Sequence, residues 1–334
     1  MKRFWKGAPL VVLAAGLAAL PYLGSTYYLQ FATKVLLIGI LAISLNLVAG
    51  FGGLVSLCHA AFFGLGGYTL ALASPKYEAA SLFTTLPLAM GVAALAALIV
   101  GALSLRTRGV YFIMVTLAFG EMIFSAFHDT DIGGGSDGAF IYNKPAVHLF
   151  GYVTDLENPR IFYFAAVIAF LLTCLVIWQI VRSPFGHALI AARDNERRAR
   201  SLGFPIYRLR LTAFIISGAL AGFSGYLAAA QYGFVAPEML GWHLSAIVLV
   251  MVVLGGMDGV AAPAFGAAAL LGMEEVLKGW TENWKLVEGA VIILLIILFP
   301  GGLRQLISLV TENLGNQPAG EKPNPKAVRE AGHA

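Results

Sequence analysis

The stretch LNLVAGFGGLVSLCHAAFFGLGGYTLALA (residues 45–73) is apolar enough to lie in lipid, yet it is too rich in glycine to be a plain membrane anchor. Small residues recur in it at every fourth position, at Gly52, Ser56, Ala60 and Gly64. On a continuous helix they would share one face, and such a face lets a second helix approach closely within lipid. Gly50, Gly52 and Gly53 also indicate a break, which is tolerated at membrane depth only where protein or a water-filled cavity surrounds the backbone. The stretch therefore predicts either a tightly packed structural helix or the wall of a transport pathway.

The composition places most of the chain in lipid. Hydrophobic residues make up 59% of it and charged residues only 12%, whereas a soluble domain carries about 25% charged residues. Cys58 and Cys174 lie in separate apolar segments, so a disulfide framework is not indicated. The composition therefore excludes an ordinary soluble domain.

Spanning helices need about 20 mostly apolar residues, and ten segments of this chain qualify. They are 8–25, 34–51, 53–74, 85–104, 109–127, 161–181, 210–230, 243–256, 261–278 and 287–303. The sequence therefore predicts an all-α polytopic membrane protein, with about ten transmembrane helices in a domain formed by residues 1–310.

The two ends of the chain differ from the rest. The first apolar segment follows three basic residues and could be a secretory signal, but Pro21 and Tyr22 after it and the lack of a small-residue cleavage site favour a retained helix. The polar tail, residues 311–334, contains too little apolar surface to fold alone, and we expect it to be a disordered cytoplasmic tail.

The distribution of lysine and arginine predicts the orientation. With ten helices, 16 of these 22 residues fall on the side of the N-terminus and six on the other, in agreement with a positive-inside bias and with both termini cytoplasmic. Helices two to five and seven to ten then run in opposite orientations, which suggests an inverted repeat. LGGMDGVAAPAFGA (residues 254–267) is a small-rich counterpart of the opening stretch. Such paired glycine-interrupted segments indicate a substrate route, although glycine is also common in membrane helices in general.

The longest cytoplasmic connection, RSPFGHALIAARDNERRARSLGFPIYR (residues 182–208), is strongly charged. Pro184 and Gly186 are predicted to end the preceding helix, and residues 188–202 to form one short helix that stops before Pro205. This helix could lie on anionic lipid or dock into a groove on a cytoplasmic protein. Its small residues and mixed charges favour the protein.

Five blocks of the chain together resemble a known family. FGHALIAARDNERRARSLG resembles the ATPase-coupling loop of bacterial ABC importer permeases. The opening stretch, GVYFIMVTLAFGEM, LTAFIISGALAGFSGYL and VLGGMDGVAAPAFGA resemble the branched-chain amino acid permease family, specifically its LivM-type subunit, over about residues 30–305. Cys58 stands where we expect glycine, and Met257–Asp258 where glycine and serine are usual.

The resemblance implies a type II ABC importer-like permease, forming half of a translocation pathway in the bacterial inner membrane. It implies three kinds of protein partner, namely a second homologous permease, two ATP-binding cassette subunits and a periplasmic solute-binding protein. It also implies that the chain lies in the lipid bilayer. Branched-chain amino acids are the expected cargo, with urea, short amides and aromatic acids as alternatives. Residues 182–208, the coupling loop, would transmit ATPase closure. The coupling residues implied are Gly186, Ala191, Arg193, Asp194, Asn195, Ala199, Leu202 and Gly203.

Catalytic and cofactor motifs are missing from the sequence. G-x-x-x-x-G-K-[ST], H-E-x-x-H and C-x-x-C do not occur, and G-x-S-x-G occurs only as GGSDG at residues 134–138, inside a glycine-rich connection without a strand-to-helix turn. We therefore expect no ATPase, metal or hydrolase site in this chain and ATP bound only by partner subunits. G-x-G-x-x-G occurs once, at Gly133, Gly135 and Gly138, but without the strand and helix that a dinucleotide site needs. We expect neither a cofactor nor a nucleic-acid partner.

Ionisable side chains are few within the predicted spans, and Glu121 and His59 are the notable ones. Such residues usually face a partner or a cavity, so Glu121 could line the pathway or be a packing residue, whereas His59 and Asn46 favour hydrogen bonds within the protein. The candidate pathway residues are Asn46, Ser56, His59, Gly64, Glu121, Gly255 and Gly256. An ion-coupled secondary transporter is the alternative class, with Glu121 as the acidic candidate for its coupling-ion site, and a membrane-bound enzyme is disfavoured.

Overall fold

A computed structural model describes residues 25–75, 79–149, 152–154, 157–280 and 282–298. The predicted first segment, apart from residue 25, and the predicted tail lie outside these residues. The helices are α1 Thr26–Asn46, α2 His59–Ala73, α3 Leu82–Ser104, α4 Val110–His128, α5 Pro159–Arg182, α6 Pro184–Asp194, α7 Glu196–Ser201, α8 Ile206–Tyr232, α9 Trp242–Gly255, α10 Ala262–Lys278 and α11 Trp284–Leu298.

Five of the described helices are long and apolar enough to cross a membrane. They are α1 with the π-helical turn that extends it to Phe51, and α3, α4, α5 and α8. The α9 helix is apolar but shorter. The structure therefore confirms a mostly helical polytopic membrane protein, while the count of ten spans and the inverted repeat stay predictions.

Glycine lets α2, α3 and α8 pack with almost no space between their backbones. A Cβ at Gly225 of α8 would lie 2.5 Å from the carbonyl carbon of Phe63 in α2, and one at Gly66 of α2 would lie 2.6 Å from that of Gly222. Ala93 of α3 contacts Gly222 in the same way. This is the small-residue packing that holds helices together in lipid, and it places α8 beside α1 and α2 in the centre of the bundle.

Contacts between connections define the two ends of the bundle. At one end the coupling loop contacts Gly50 after α1 and Arg108 between α3 and α4. At the other end two short strands pair, β1 Ala139–Phe140 with β4 Phe234–Val235. We call these the loop end and the strand end.

Two short sheets are an addition to the predicted all-α fold. Besides the β1–β4 pair, β2 Val147–Leu149 pairs antiparallel with β3 Tyr152–Thr154. The G-x-G-x-x-G stretch lies in the connection between α4 and α5, which also contains β1, β2 and β3. Its glycines, Gly133, Gly135 and Gly138, all have positive φ. These backbone angles favour glycine without any ligand, which supports a tight turn as the role of the motif.

Candidate functional site

The first backbone break begins with the π-helical turn Leu47–Phe51 and lasts until α2 begins at His59. Gly52 and Ser56 lie in this break, whereas Ala60 and Gly64 lie on α2, so the predicted row of four small residues on one helix face is wrong. The predicted break at the glycines is confirmed, and Gly53 has a φ of +67°.

Neighbouring helices satisfy one backbone amide in this break and one just after it. Leu57 donates its N–H to Thr116 of α4 at 3.3 Å, and Ala60 donates to the hydroxyl of Ser245 on α9 at 2.9 Å. Protein therefore surrounds the interrupted backbone, as the apolar interior of a membrane requires.

His59 closes a buried network of hydroxyl groups. The Ser217 hydroxyl donates to the Ser44 carbonyl, so its oxygen accepts from Nε2–H of His59 at 2.7 Å. Nδ1 of His59 then accepts from the Ser56 hydroxyl at 3.3 Å. Both ring nitrogens have partners and the ring is fully buried against Phe214. A buried histidine usually bonds to a backbone carbonyl, whereas both partners of His59 are serine hydroxyls. The bond to Ser217 joins α2 to α8.

The second break, residues 256–261 between α9 and α10, lies directly against the first. Asn46 donates from Nδ2 to the Gly259 carbonyl at 3.0 Å. A Cβ at Gly50 would lie 2.6 Å from the Met257 carbonyl oxygen and would also collide with the Asn46 amide oxygen. The two glycine-rich segments, distant in sequence, therefore form one contact at the loop end.

The coupling loop begins with two capped helices, where the sequence predicted a single one. Ser183 caps α6 by accepting from the Gly186 amide at 3.3 Å, with Pro184 at the first helical position. Asn195 interrupts the helix and caps α7 by accepting from the Arg198 amide at 2.9 Å. The preceding helix α5 ends at Arg182, as predicted, but Pro184 and Gly186 also form the first turn of a new helix, because Ser-Pro is a strong N-terminal signal.

Glu196 ties α7 to the membrane helices. Its carboxylate pairs with Arg210 of α8 at 3.0 Å, Arg108 at 3.2 Å and Arg200 at 2.8 Å. Arg210 is the least exposed partner, with 17% of its side chain accessible, so this pair contributes most of the stabilisation and the exposed pairs little. The sequence reasoning missed Glu196. Only its (i, i+4) pair with Arg200 could have been found by spacing.

Arg193 differs from the other residues predicted to dock the ATPase, because its guanidinium is directed into the bundle. Nη1 donates to the Gly50 carbonyl at 2.7 Å and lies 3.8 Å from Oδ1 of Asp258 in the second break. Nε donates to Asp194 at 3.0 Å. One side chain of the loop therefore contacts both backbone breaks.

The remaining predicted coupling residues divide into two groups. Gly186 and Ala199 are buried. A Cβ at Gly186 would lie 2.5 Å from the Val181 Cα, and Ala199 packs with Ala192 and Ile206. The exposed group consists of Ala191, Asp194, Asn195, Leu202 and Gly203. Leu202 leaves 71% of its surface accessible, so its side chain is open to a partner.

Glu121 has a structural partner. Its Oε1 accepts from the Trp242 amide, the first N–H of α9, at 3.2 Å. A carboxylate at a helix N-terminus satisfies an orphan donor and interacts favourably with the helix dipole. The geometry therefore supports the packing interpretation of Glu121 more than the pathway one.

The other candidate pathway residues are packed inside the chain. Asn46, Ser56, His59, Gly64, Gly255 and Gly256 are all buried. A Cβ at Gly64 would lie 2.5 Å from Leu240, and one at Gly255 would lie 2.7 Å from the Ala262 carbonyl carbon. Gly256 turns the chain with a φ of +104°. The geometry assigns these residues contacts between helices: Asn46 bonds across the loop-end contact, whereas His59 joins α2 to α8.

Comparisons with known proteins show the family of the chain. The family profile described as "Branched-chain amino acid transport system / permease component" matches residues 27–298. The "High-affinity branched-chain amino acid transport system permease protein LivM" of Salmonella typhimurium is 36% identical over 88% of this chain and 74% of the relative. The LivM protein of Escherichia coli K12 has the same identity and coverage.

A more distant relative is the "Autoinducer 2 import system permease protein LsrC" of Escherichia coli O9:H4, 27% identical over 45% of this chain and 46% of the relative. No solved structure matches the chain. The chain therefore belongs to the family of branched-chain amino acid transport system permease components, the multi-pass inner-membrane subunits of ABC importers that work with ATPase and solute-binding partners.

Proposed function

We propose that this permease subunit imports branched-chain amino acids. The LivM relatives, whose names state that substrate, match the chain over most of its length, whereas the autoinducer relative covers less than half of it. Urea, short amides and aromatic acids are the alternative cargoes.

The proposed assembly contains this chain, a second homologous permease, two ATP-binding cassette subunits and a periplasmic solute-binding protein. This chain forms half of the pathway, in a type II importer arrangement of ten helices with an inverted repeat. Both termini are cytoplasmic. The basic loop end supports this orientation, because the coupling loop and Arg108 meet there and arginine is enriched on the cytoplasmic side. ATP is bound by the partner subunits, and this chain uses neither a cofactor nor a metal.

The docking face for the ATPase is the exposed side of the coupling loop, formed by Ala191, Asp194, Asn195, Leu202 and Gly203. Its support comes from the contrast between the two sides of the loop. Glu196 and Arg193 fix the inner side to the bundle, while Leu202 is left accessible. An exposed apolar side chain on a rigidly held segment is suited to enter a groove of a partner protein.

The alternative class, an ion-coupled secondary transporter, loses its main candidate. Glu121 was the acidic residue proposed for a coupling-ion site, and its carboxylate caps α9. The observation that carries the proposal is therefore the extended match to LivM together with a coupling loop that is anchored on one side and open on the other.

Transport by the reconstituted importer tests this function. Vesicles containing all subunits and the loaded binding protein should take up labelled leucine only with ATP on the ATPase side. Uptake should survive an ionophore that collapses ion gradients, and unlabelled isoleucine and valine should compete while urea and benzoate should not. Uptake by this chain alone, or uptake that requires the ion gradient, would refute the ABC assignment. Competition by urea or benzoate would change the cargo.

The docking face is tested by Leu202→Asp, with Tyr142→Asp as the matched control. Both residues are exposed to a similar extent, 71% and 73%, but Tyr142 follows β1 at the strand end. We expect the ATPases to be lost from the purified complex with the first variant and retained with the second. Retention with Leu202→Asp would contradict docking at this face.

A further inference from the structure

Arg193 lies on the coupling loop, yet Nη1 of its guanidinium is directed to the membrane helices, and only Nε contacts a residue of the docking face, Asp194. The Arg193 side chain is 31% accessible, about half the accessibility of Asp194 beside it at 61%. The aliphatic stem crosses Gly53, where a Cβ would lie 2.7 Å from Cγ of Arg193. Gly53 therefore leaves room for this side chain as well as supplying the positive φ of the break.

The Gly50 carbonyl is a strong acceptor for the guanidinium. It belongs to the π-helical turn at the C-terminal end of α1, where carbonyls lose their helical partners and the helix dipole is negative. The 2.7 Å bond from Nη1 is charge-assisted. The end of a membrane helix is thus held by a residue of the loop.

The same guanidinium also reaches the second break. Asp258 lies 3.8 Å away, and the adjacent Gly259 carbonyl accepts from Asn46. Displacement of Arg193 therefore acts on two segments at once, since Gly50 and Met257 are themselves in contact. Glu196, by contrast, binds α8 and the α3–α4 connection, so it fixes the loop without contacting the breaks.

We propose that Arg193 is a positioning residue that transmits movement of the coupling loop to both backbone breaks, by binding the Gly50 carbonyl and Asp258 together. This inference rests on the proposed function, in which ATPase closure moves the loop. It adds the physical link between that loop and the interrupted helices. If the loop moved away by the length of one hydrogen bond, Arg193 would lose its contacts with the end of α1 and with the turn before α10.

The test compares Arg193→Ala with Arg208→Ala in the full importer. Arg208 carries the same charge and is exposed near the end of the coupling loop. ATP hydrolysis and leucine uptake are measured in the same vesicles. With Arg193→Ala we expect the ATPases to stay bound and hydrolysis to continue, while leucine transported per ATP falls about tenfold or more, the factor that corresponds to loss of one charge-assisted hydrogen bond. Arg208→Ala should leave that ratio unchanged.

Arg193→Lys separates the geometry from the charge. It keeps a cation but replaces the planar guanidinium, in which Nη1 contacts Gly50 and Asp258 while Nε is held by Asp194, with a flexible ammonium that lacks this second anchor, so we expect a partial loss of coupling. An unchanged ratio in Arg193→Ala would overturn the inference. Loss of the ATPases from the purified complex in both Arg193→Ala and Arg193→Lys would overturn it too, because Arg193 would then belong to the docking face. A failure of the proposed function is distinguishable, since the wild-type importer would already fail to couple hydrolysis to uptake.

A second measurement needs neither partners nor transport. Cys58 is fully buried at the end of the first break. Alkylation of Cys58 by N-ethylmaleimide in membranes, followed by mass spectrometry of its peptide, should be faster in Arg193→Ala than in wild type and unchanged in Arg208→Ala. Equal labelling of all three proteins would show that Arg193 does not hold the break and would overturn the inference.

Discussion

Substitution of Gly225 by alanine provides the most direct check of the central packing. The new Cβ would lie 2.5 Å from the carbonyl carbon of Phe63 and closer still to its oxygen. Carbon atoms in contact are about 3.5–4.0 Å apart, so α2 and α8 would have to separate by about 1 Å. The obstructing atoms belong to the backbone, which cannot rotate away as a side chain can.

The expected magnitude follows from two opposing effects. Overpacking of this kind costs about 3 kcal/mol, the upper end of the usual range, because neither helix has space to yield. Alanine recovers about 1 kcal/mol relative to glycine within a helix. The net loss of about 2 kcal/mol predicts a thermal midpoint lowered by roughly 4–8 °C. Separation of the helices would also stretch the His59–Ser217 bond between them, so uptake should fall together with stability.

Gly91→Ala is the matched control. Gly91 also lies within a helix, α3, but no atom lies within 4 Å of the position that its Cβ would take. The variant should therefore gain the helix propensity alone, with a midpoint equal to or roughly 2–4 °C above that of wild type. Thermal unfolding of the purified chain in detergent, followed by tryptophan fluorescence, measures both variants. Midpoints within about 1 °C of each other would refute the close approach of α2 and α8, because the two variants are expected to differ by about 3 kcal/mol.

Three further changes test the loop end and the strand end. Glu196→Gln should lower the stability of the chain by about 1–2 kcal/mol, since it removes the charge shared by three arginines, and the loss should shrink in high salt when thermal unfolding is repeated there. Glu121→Gln keeps an oxygen that can accept the first amide of α9, so leucine uptake should stay closer to wild type than with Glu121→Ala; equal loss in both would favour a role for the charge itself. Gly50→Ala should displace Asn46 and separate Gly50 from the Met257 carbonyl, which we expect to abolish uptake while the chain still inserts, and normal uptake would exclude that contact from the mechanism.

Much of this protein follows from local properties of the chain. Apolar length predicted the long helices, and the glycines at 50–53 predicted the first break, because length in lipid and backbone freedom are properties of the segment itself. Family resemblance identified the permease function and predicted the coupling loop. The caps at Ser183 and Asn195 could also have been predicted from the sequence, since both residue types are strong N-caps. Their significance was missed because the alanines of the loop favoured one continuous helix.

Only the tertiary structure decided which side chains act together. Arg193 is one of several arginines in a charged loop, and nothing in its spacing indicates that it points inward to Gly50 while Leu202 points outward. His59 and Ser217 are 158 residues apart, and Asn46 and Gly259 are 213 apart. A hydrogen bond requires atoms within about 3 Å, and packing of distant helices brings those atoms together. The sequence therefore determines which segments enter the membrane and where they break, whereas the bundle determines what each break touches.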